Sequence, residues 1–143
     1  MFIGEHSHTL DEKGRLQMPA RFRSAFAEGV VVTRGLDGCL FIYTMHEWEK
    51  LAEKLMNLPL SQSEARKFAR LMLAGAMDAE LDKQGRITVP GYLREFAQLG
   101  THVVVAGLYN RLEVWNSKKW QEMQTETEKR SDEIAQGLMD FGV

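Results

Sequence analysis

Apolar and polar residues alternate along two short segments, Arg15 to Met18 and Arg86 to Val89, and a proline follows each segment. Alternation with a period of two predicts a half-buried strand, and the proline suits the first turn of a short helix. Two β-branched and aromatic runs come next in each half, VVVTRG and CLFIY in the first, VVVAGL and LEVW in the second. Their composition predicts two further strands per half, with bends at Gly and Asp or Asn.

A glycine-containing turn precedes each alternating segment. Residues near His6 to Leu10 and Met77 to Leu81 lead into these turns, where Gly14 or Gly85 can adopt positive φ because glycine has no Cβ. A strand, a tight turn and a second strand in this order predict a short hairpin at the start of each half.

Helical periodicity follows the strands of the first half. Thr44 and Glu47 have capping-box spacing and open a predicted helix that ends at Pro59. Its apolar face consists of Trp48, Leu51, Leu55 and Leu58. Ser61 and Glu64 repeat the capping signature and predict a second helix. Its apolar residues are Ala65, Phe68, Ala69, Met72 and Ala76.

The second predicted helix also has a basic face, formed by Arg66, Lys67 and Arg70. This face could contact DNA, lie in solvent or meet another subunit, and the sequence leaves these alternatives open. A last helix is predicted from about Ser117. Its apolar residues are Trp120 and Met123, then Ile134, Leu138 and Phe141 after a polar middle.

The chain contains an internal repeat. The segment DEKGRLQMPARFR at residues 11–23 matches the segment DKQGRITVPGYLR at residues 82–94, at an offset of 71 residues. After one inserted residue the match resumes through the later strands and reaches Trp48 and Trp120. The duplication covers most of each half, and no low-complexity linker separates the halves, so we expect one body built from both repeats.

Composition and charge restrict the class of protein. The 143 residues are 44% hydrophobic and 27% charged, as in soluble globular domains. The net charge is −2, so any affinity for nucleic acid must come from local patches rather than bulk charge. The single cysteine, Cys39, excludes an intrachain disulfide and a cysteine-based zinc site and fits a reducing compartment. With no apolar run approaching roughly 20 residues and no signal-peptide pattern, we expect neither membrane insertion nor export.

The motif D-x-x-G-R occurs once in each repeat. Its Asp can accept backbone N–H groups of the turn and also hold the Arg through a charge-assisted hydrogen bond. Lys13 and Lys83 add a second cation to each turn, which could then contact phosphates or guanine edges. Alternatively, the Asp and Arg have only a structural role and hold each turn against its own domain. Retention of Asp, Gly, Arg and Pro in both copies favours the binding interpretation.

The predicted DNA surface includes these turns and the basic residues next to them. The predicted DNA-contacting residues are Lys13, Arg15, Arg21, Arg23, Lys83 and Arg86. The predicted supports of the turns are Asp11, Gly14, Asp82 and Gly85. Both repeat segments carry more basic than acidic residues, whereas the chain from Ser117 onward is net acidic.

Catalytic and metal-binding patterns are weak. His6 and His8 have the spacing that places two imidazoles on one strand face, but no third ligand is apparent nearby. Nucleophile elbows, H-E-x-x-H and phosphate-binding glycine loops are absent. We therefore expect no metal, no cofactor and no enzymatic activity. A metal-dependent enzyme using His6 and His8 is the least favoured alternative.

These motifs, taken in order, resemble one family. The opening MFIGEHSHTLDEKGRLQMPARFR, the middle RLMLAGAMDAELDKQGRITVP and the closing strand YNRLEVW are similar to the MraZ family, bacterial proteins with tandem SpoVT-AbrB-type repeats. The resemblance extends from Met1 to about Trp120 and does not cover the tail beyond it.

The resemblance implies a mixed β and α fold. Two tandem AbrB-like swapped-hairpin β repeats are expected to form one compact body with flanking helices. The expected boundaries are 5–47 for the first repeat, 48–75 for connecting helices, 76–119 for the second repeat and 120–143 for a C-terminal helix.

The resemblance also implies a function. It indicates a transcriptional regulator of the cytoplasm and nucleoid that binds double-stranded DNA with tandem repeats, through Asp11 with Arg15 and Asp82 with Arg86. The implied target is the division and cell-wall gene cluster that includes its own gene. The implied assembly is a ring, in which weak contacts suffice because later contacts become intramolecular. The competing interpretation is a structural or protein-interaction ring without DNA binding.

Overall fold

Six antiparallel strands drawn from both repeats form the main sheet of the computed structural model, which describes residues 1–143. The strands of the protein are β1 Phe2–Thr9, β2 Arg15–Gln17, β3 Val30–Arg34, β4 Leu40–Thr44, β5 Met77–Ala79, β6 Arg86–Thr88, β7 His102–Tyr109 and β8 Leu112–Asn116. The order across the main sheet is β1-β7-β8-β4-β3-β5. The two repeats form one body, as predicted, and their strands interleave, because β1 pairs with β7 and β4 pairs with β8.

The remaining strands, β2 and β6, pair with each other as a two-stranded antiparallel ribbon. The hairpin predicted within each repeat is therefore wrong. Only one isolated bridge, Leu10 to Leu16, links the two sides of the first turn. Pairing across the repeats instead places Leu16 opposite Ile87, and both side chains are buried in the shared core, at 0% and 1% exposure. Burial of this apolar pair favours the pairing of β2 with β6 over a hairpin within each repeat.

Short helices follow the ribbon, as the prolines predicted. A 3-10 helix, Ala20–Phe26, comes directly after Pro19, and α3, Gly91–Phe96, comes directly after Pro90. The capping prediction for α1, Met45–Met56, is confirmed, because the Thr44 hydroxyl accepts the Glu47 backbone N–H at 3.2 Å. No helix has both the length and the apolar character that crossing a bilayer requires.

The second capping prediction is wrong. Helix α2, Ser63–Ala69, begins after Gln62, and no side chain caps it. The Gln62 N–H donates to the Pro59 carbonyl at 3.1 Å, so Ser61 lies inside a turn and cannot serve as the cap. Helix α2 continues directly into a π-helical turn, Arg70–Ala74.

The C-terminal helix predicted over 120–143 is interrupted. Helix α4, Ser117–Lys129, begins where predicted, and the Asn116 side chain caps it by accepting the Lys119 N–H at 3.1 Å. The backbone leaves helical geometry at Arg130, with φ −111° and ψ 15°. A shorter helix, α5 at Ser131–Gly137, and a 3-10 turn at Met139–Phe141 follow.

Two apolar cores occupy the two faces of the main sheet, because successive strand residues point to opposite sides. One core contains alternate residues of the sheet together with the ribbon and the short helices after it; its members include Leu16, Met18, Phe22, Ile87, Val89 and Leu93. The other core lies beneath α1, α2 and α4; its members and neighbours include Tyr43, Leu55, Phe68, Met72, Trp115 and Trp120. The sheet therefore separates a ribbon layer from a helical layer.

The pairing of β7 with β1 requires a glycine at position 107. A Cβ there would lie 2.5 Å from the Ile3 nitrogen and 2.6 Å from the Phe2 carbonyl carbon. We expect Gly107→Ala to lower the free energy of unfolding by about 1–3 kcal/mol in urea denaturation, the usual cost of overpacking. Gly100→Ala is the matched control, since a Cβ there meets no heavy atom within 4 Å. Equal losses in the two variants would contradict this interpretation.

Candidate nucleic-acid interface

The two D-x-x-G-R turns have the same hydrogen-bond geometry. In each turn, Oδ1 of the Asp accepts the backbone N–H groups of the residues two and four positions later, all four at 2.9 Å. Oδ2 accepts the guanidinium Nε–H, at 2.5 Å between Asp11 and Arg15 and at 2.9 Å between Asp82 and Arg86. Each Asp therefore fixes the turn backbone and orients the Arg side chain at the same time.

These bonds lower the pKa of Asp11 and Asp82 below the ordinary carboxyl value of 3.8. The largest cause in each turn is the backbone N–H of the Arg, which donates to the carboxylate, and the guanidinium hydrogen bond acts in the same direction. Each carboxylate is therefore harder to protonate than an ordinary one, and each guanidinium is held by a charged partner at neutral pH.

The ribbon brings Arg15 and Arg86 onto one surface. The central pair of the ribbon points into the core, so the flanking residues point outward on the opposite side. The ribbon face, as we term it, consists of Arg15, Gln17, Arg86 and Thr88. Gln17 connects the two repeats further, because its side-chain amide donates to the Gln84 carbonyl at 2.6 Å. The two turns thus contribute to a single surface rather than to two separate tips.

Arg23 and Arg94 pack against the turn of the other repeat. Each donates its Nε–H to a backbone carbonyl of its own repeat at 3.0 Å. A Cβ on Gly85 would lie 2.5 Å from the Arg23 Nε, and one on Gly14 would lie 2.8 Å from the Arg94 Nε. The turn glycines are therefore required by this close approach as well as by their positive φ of 77° and 76°.

The other predicted contacts differ in their surroundings. Lys13 and Lys83 are exposed and take part in no ion pair. Arg21 is exposed, with its guanidinium carbon 5.3 Å from the centre of the Phe22 ring. Arg23 is only partly exposed, and its Nε already has a backbone partner. Sequence reasoning missed Arg94 as a support, although its equivalence to Arg23 in the repeat was the available signal.

The histidines do not form a recognisable metal centre, since no three His, Cys, Asp or Glu side chains are grouped to hold an ion. The His6 ring packs edge-on against Phe22, with centroids 5.1 Å apart, and its Nε2 has no hydrogen-bond partner. The pKa of His8 is lowered, chiefly by burial and then by the charges of His6 and Arg23.

Cys39 is fully buried, as expected for a small core residue, and burial raises the pKa of its thiol.

Comparison with known proteins gives the same family in each case. The family model described as "MraZ protein, putative antitoxin-like" matches residues 1–71 and again residues 72–141. The chain is 49% identical to the transcriptional regulator MraZ of Halothermothrix orenii, 48% to that of Natranaerobius thermophilus and 48% to that of Pediococcus pentosaceus. Each alignment spans 143 residues and the whole of both chains. The family model thus matches the chain as two repeats, in agreement with the internal duplication.

The lowered carboxyl pKa values predict a specific pH dependence. A lowered folded-state pKa stabilises the fold above the ordinary value of 3.8, and this contribution is lost as the pH falls through the folded values. We expect NMR titration midpoints below 3.8 for Asp11 and Asp82. We also expect the wild type to lose more stability below about pH 4 than the Asp11→Asn/Asp82→Asn double variant. Midpoints at or above the ordinary value would show that the turn hydrogen bonds are absent in solution.

Proposed function

The chain belongs to the MraZ family, and on this premise we propose that it is a transcriptional regulator that binds double-stranded DNA through the ribbon face. The observation that carries the proposal is the pair of arginines on one ribbon, each oriented by an Asp of its own turn. Lys13, Lys83 and Arg21 extend the proposed contact surface, and Arg23 contributes by supporting the second turn.

The geometry of the ribbon suits a DNA groove. The major groove of B-DNA admits a two-stranded β-ribbon, and an Arg fork matches either guanine O6 and N7 or a phosphate. In both turns the Asp engages Nε of the Arg, and the terminal Nη groups have no hydrogen-bond partner within the protein. Those Nη groups therefore keep their hydrogen-bonding capacity for DNA while the guanidinium stays oriented, and the Arg15 and Arg86 side chains are 33% and 25% exposed.

We also propose that copies of the chain assemble into a ring on tandem operator repeats. A protomer with net charge −2 gains little from bulk electrostatics, whereas a ring makes the second and later DNA contacts intramolecular. Exposed apolar side chains outside both cores, among them Met56, Leu60 and Phe141, support association between copies.

The remaining proposals rest on the family. We propose regulation of the division and cell-wall gene cluster that includes the protein's own gene, within the cytoplasm and nucleoid. We also propose that the repeats, at 5–47 and 76–119, are AbrB-like swapped hairpins, a description that the ribbon between repeats supports.

Replacing either turn arginine should weaken DNA binding without unfolding the protein. We expect Arg15→Ala and Arg86→Ala each to lower affinity by about 1–3 kcal/mol, or roughly 5- to 150-fold, for DNA from upstream of the protein's own gene. The measurement is fluorescence anisotropy at fixed salt, with thermal melting of each variant. Lys50→Ala is the control, because it removes the same charge from α1 in the helical layer.

The Asp variants separate orientation from bulk charge in the same assay. Asp11→Asn and Asp82→Asn make the net charge more positive, so simple electrostatics predicts tighter binding. Loss of the charged partner of each guanidinium predicts weaker binding instead. Tighter binding at every salt concentration would refute orientation by the Asp. Wild-type affinity in both Arg variants would show that the ribbon face does not contact DNA.

The ring has its own test. Light scattering across a micromolar concentration range should give a molar mass several times the protomer mass of 16.3 kDa. DNA with several evenly spaced sites should bind more tightly than DNA with one site. A stable monomer would contradict both expectations. An intact ring with no salt-dependent DNA binding would instead establish the structural-ring interpretation.

A further inference from the structure

The C-terminal segment Ser131–Val143, which we term the tail segment, carries an apolar stripe outside both cores. The stripe consists of Ile134 in α5, Leu138 directly after α5 and Phe141 in the 3-10 turn that follows. The Phe141 side chain is 78% exposed. No residue of the segment belongs to either core, and its hydrogen bonds are all local. The stripe therefore lies outside both cores of its own copy, with Leu138 and Phe141 exposed and Ile134 half-buried.

A groove between α1 and α2 offers a complementary surface. It encloses about 200 Å³ and is mostly apolar, with Leu58, Ala69 and Leu73 among its walls. Leu60 also lines the groove, and its side chain is 81% exposed. Because an apolar cavity of roughly 150 Å³ accommodates a benzene ring, the groove has room for the phenyl ring of Phe141.

The charges beside the two surfaces are opposite. The tail segment contains three acidic residues, Asp132, Glu133 and Asp140, and no basic residue. Helix α2 and the residue after it carry Arg66, Lys67 and Arg70 against one acidic residue, Glu64. Such complementarity favours one register of association and disfavours the approach of two like surfaces.

We propose that the tail segment of one copy docks its apolar stripe into the α1–α2 groove of a second copy. The anchors of this contact are Ile134 of α5, Leu138 directly after it and Phe141 of the 3-10 turn. Because groove and tail are different surfaces, the contact is heterologous, and its repetition gives a closed ring or an open chain. The inference rests on the proposed oligomer and specifies one contact within it.

The test uses three serine variants of the full chain at exposed positions. Phe141→Ser alters the tail, Leu60→Ser alters the groove, and Leu36→Ser is the control because its 51% exposed side chain lies in the loop between β3 and β4. By sedimentation velocity, we expect the first two to require roughly 10- to 100-fold higher concentration to assemble than the wild type. The control should assemble as the wild type does.

Mixing the variants identifies the direction of the contact. At a concentration where each variant alone is monomeric, the intact tail of Leu60→Ser can enter the intact groove of Phe141→Ser. We expect the equimolar mixture to form a dimer that does not extend further, because the remaining groove and tail are both altered. Binding of each variant to DNA with a single site, which depends on the ribbon face, should remain at the wild-type value.

The other outcomes overturn the inference. A wild-type oligomer that neither variant weakens, or that Leu36→Ser weakens equally, excludes this contact and leaves the proposed ring intact. Weakening by both variants without a dimer in the mixture would mean that the tail acts within its own copy. A wild-type monomer throughout the micromolar range would overturn the docking contact and the ring together.

Discussion

The antiparallel pairing of Leu16 with Ile87 buries one side chain from each repeat and turns their neighbours outward. The outward positions are those of the two turn arginines, so the register of this ribbon decides whether the arginines face solvent or the core. A shift of the strand pairing by one residue would turn side chains that now face solvent toward the core, and buried ones toward solvent. Backbone hydrogen bonds hold the register: Met18 donates to the Gly85 carbonyl at 2.9 Å, and Val89 donates to the Gly14 carbonyl at 2.8 Å.

The same arrangement explains why acidic residues occur within a surface that we propose binds DNA. Each turn Asp cancels the charge of its Arg in any count of net charge, yet it also fixes the direction of the guanidinium. An oriented fork loses less side-chain freedom on binding than a free one. Specific contact in such a surface depends on the placement of a few donors, which is compatible with a chain of net charge −2.

Local features of the fold could be predicted from the sequence, whereas contacts across the repeats could not. The strands around VVVTR and the Thr44 cap follow from composition and short spacing, and they form as expected. The pairing of β2 with β6 spans about 70 residues, and local alternation predicts a strand without naming its partner. The packing of Arg94 over Gly14 depends on that pairing, so the sequence alone did not reveal its role. The prediction at Ser61 failed for a local reason: the residue has the spacing of a helix cap, but it lies in the turn that precedes α2.

The central sheet also explains how DNA contact and assembly can be independent. The ribbon and its supporting arginines pack on one core, while α1, α2 and α4 pack on the core of the opposite sheet face. A surface change in the helical layer reaches the ribbon only through the buried sheet, whose close packing resists small displacements. Contacts between copies through the helical layer would therefore leave the geometry of each ribbon unchanged. The ring that we propose would present identical ribbons, and its affinity for repeated sites would come from their number and spacing rather than from a conformational change.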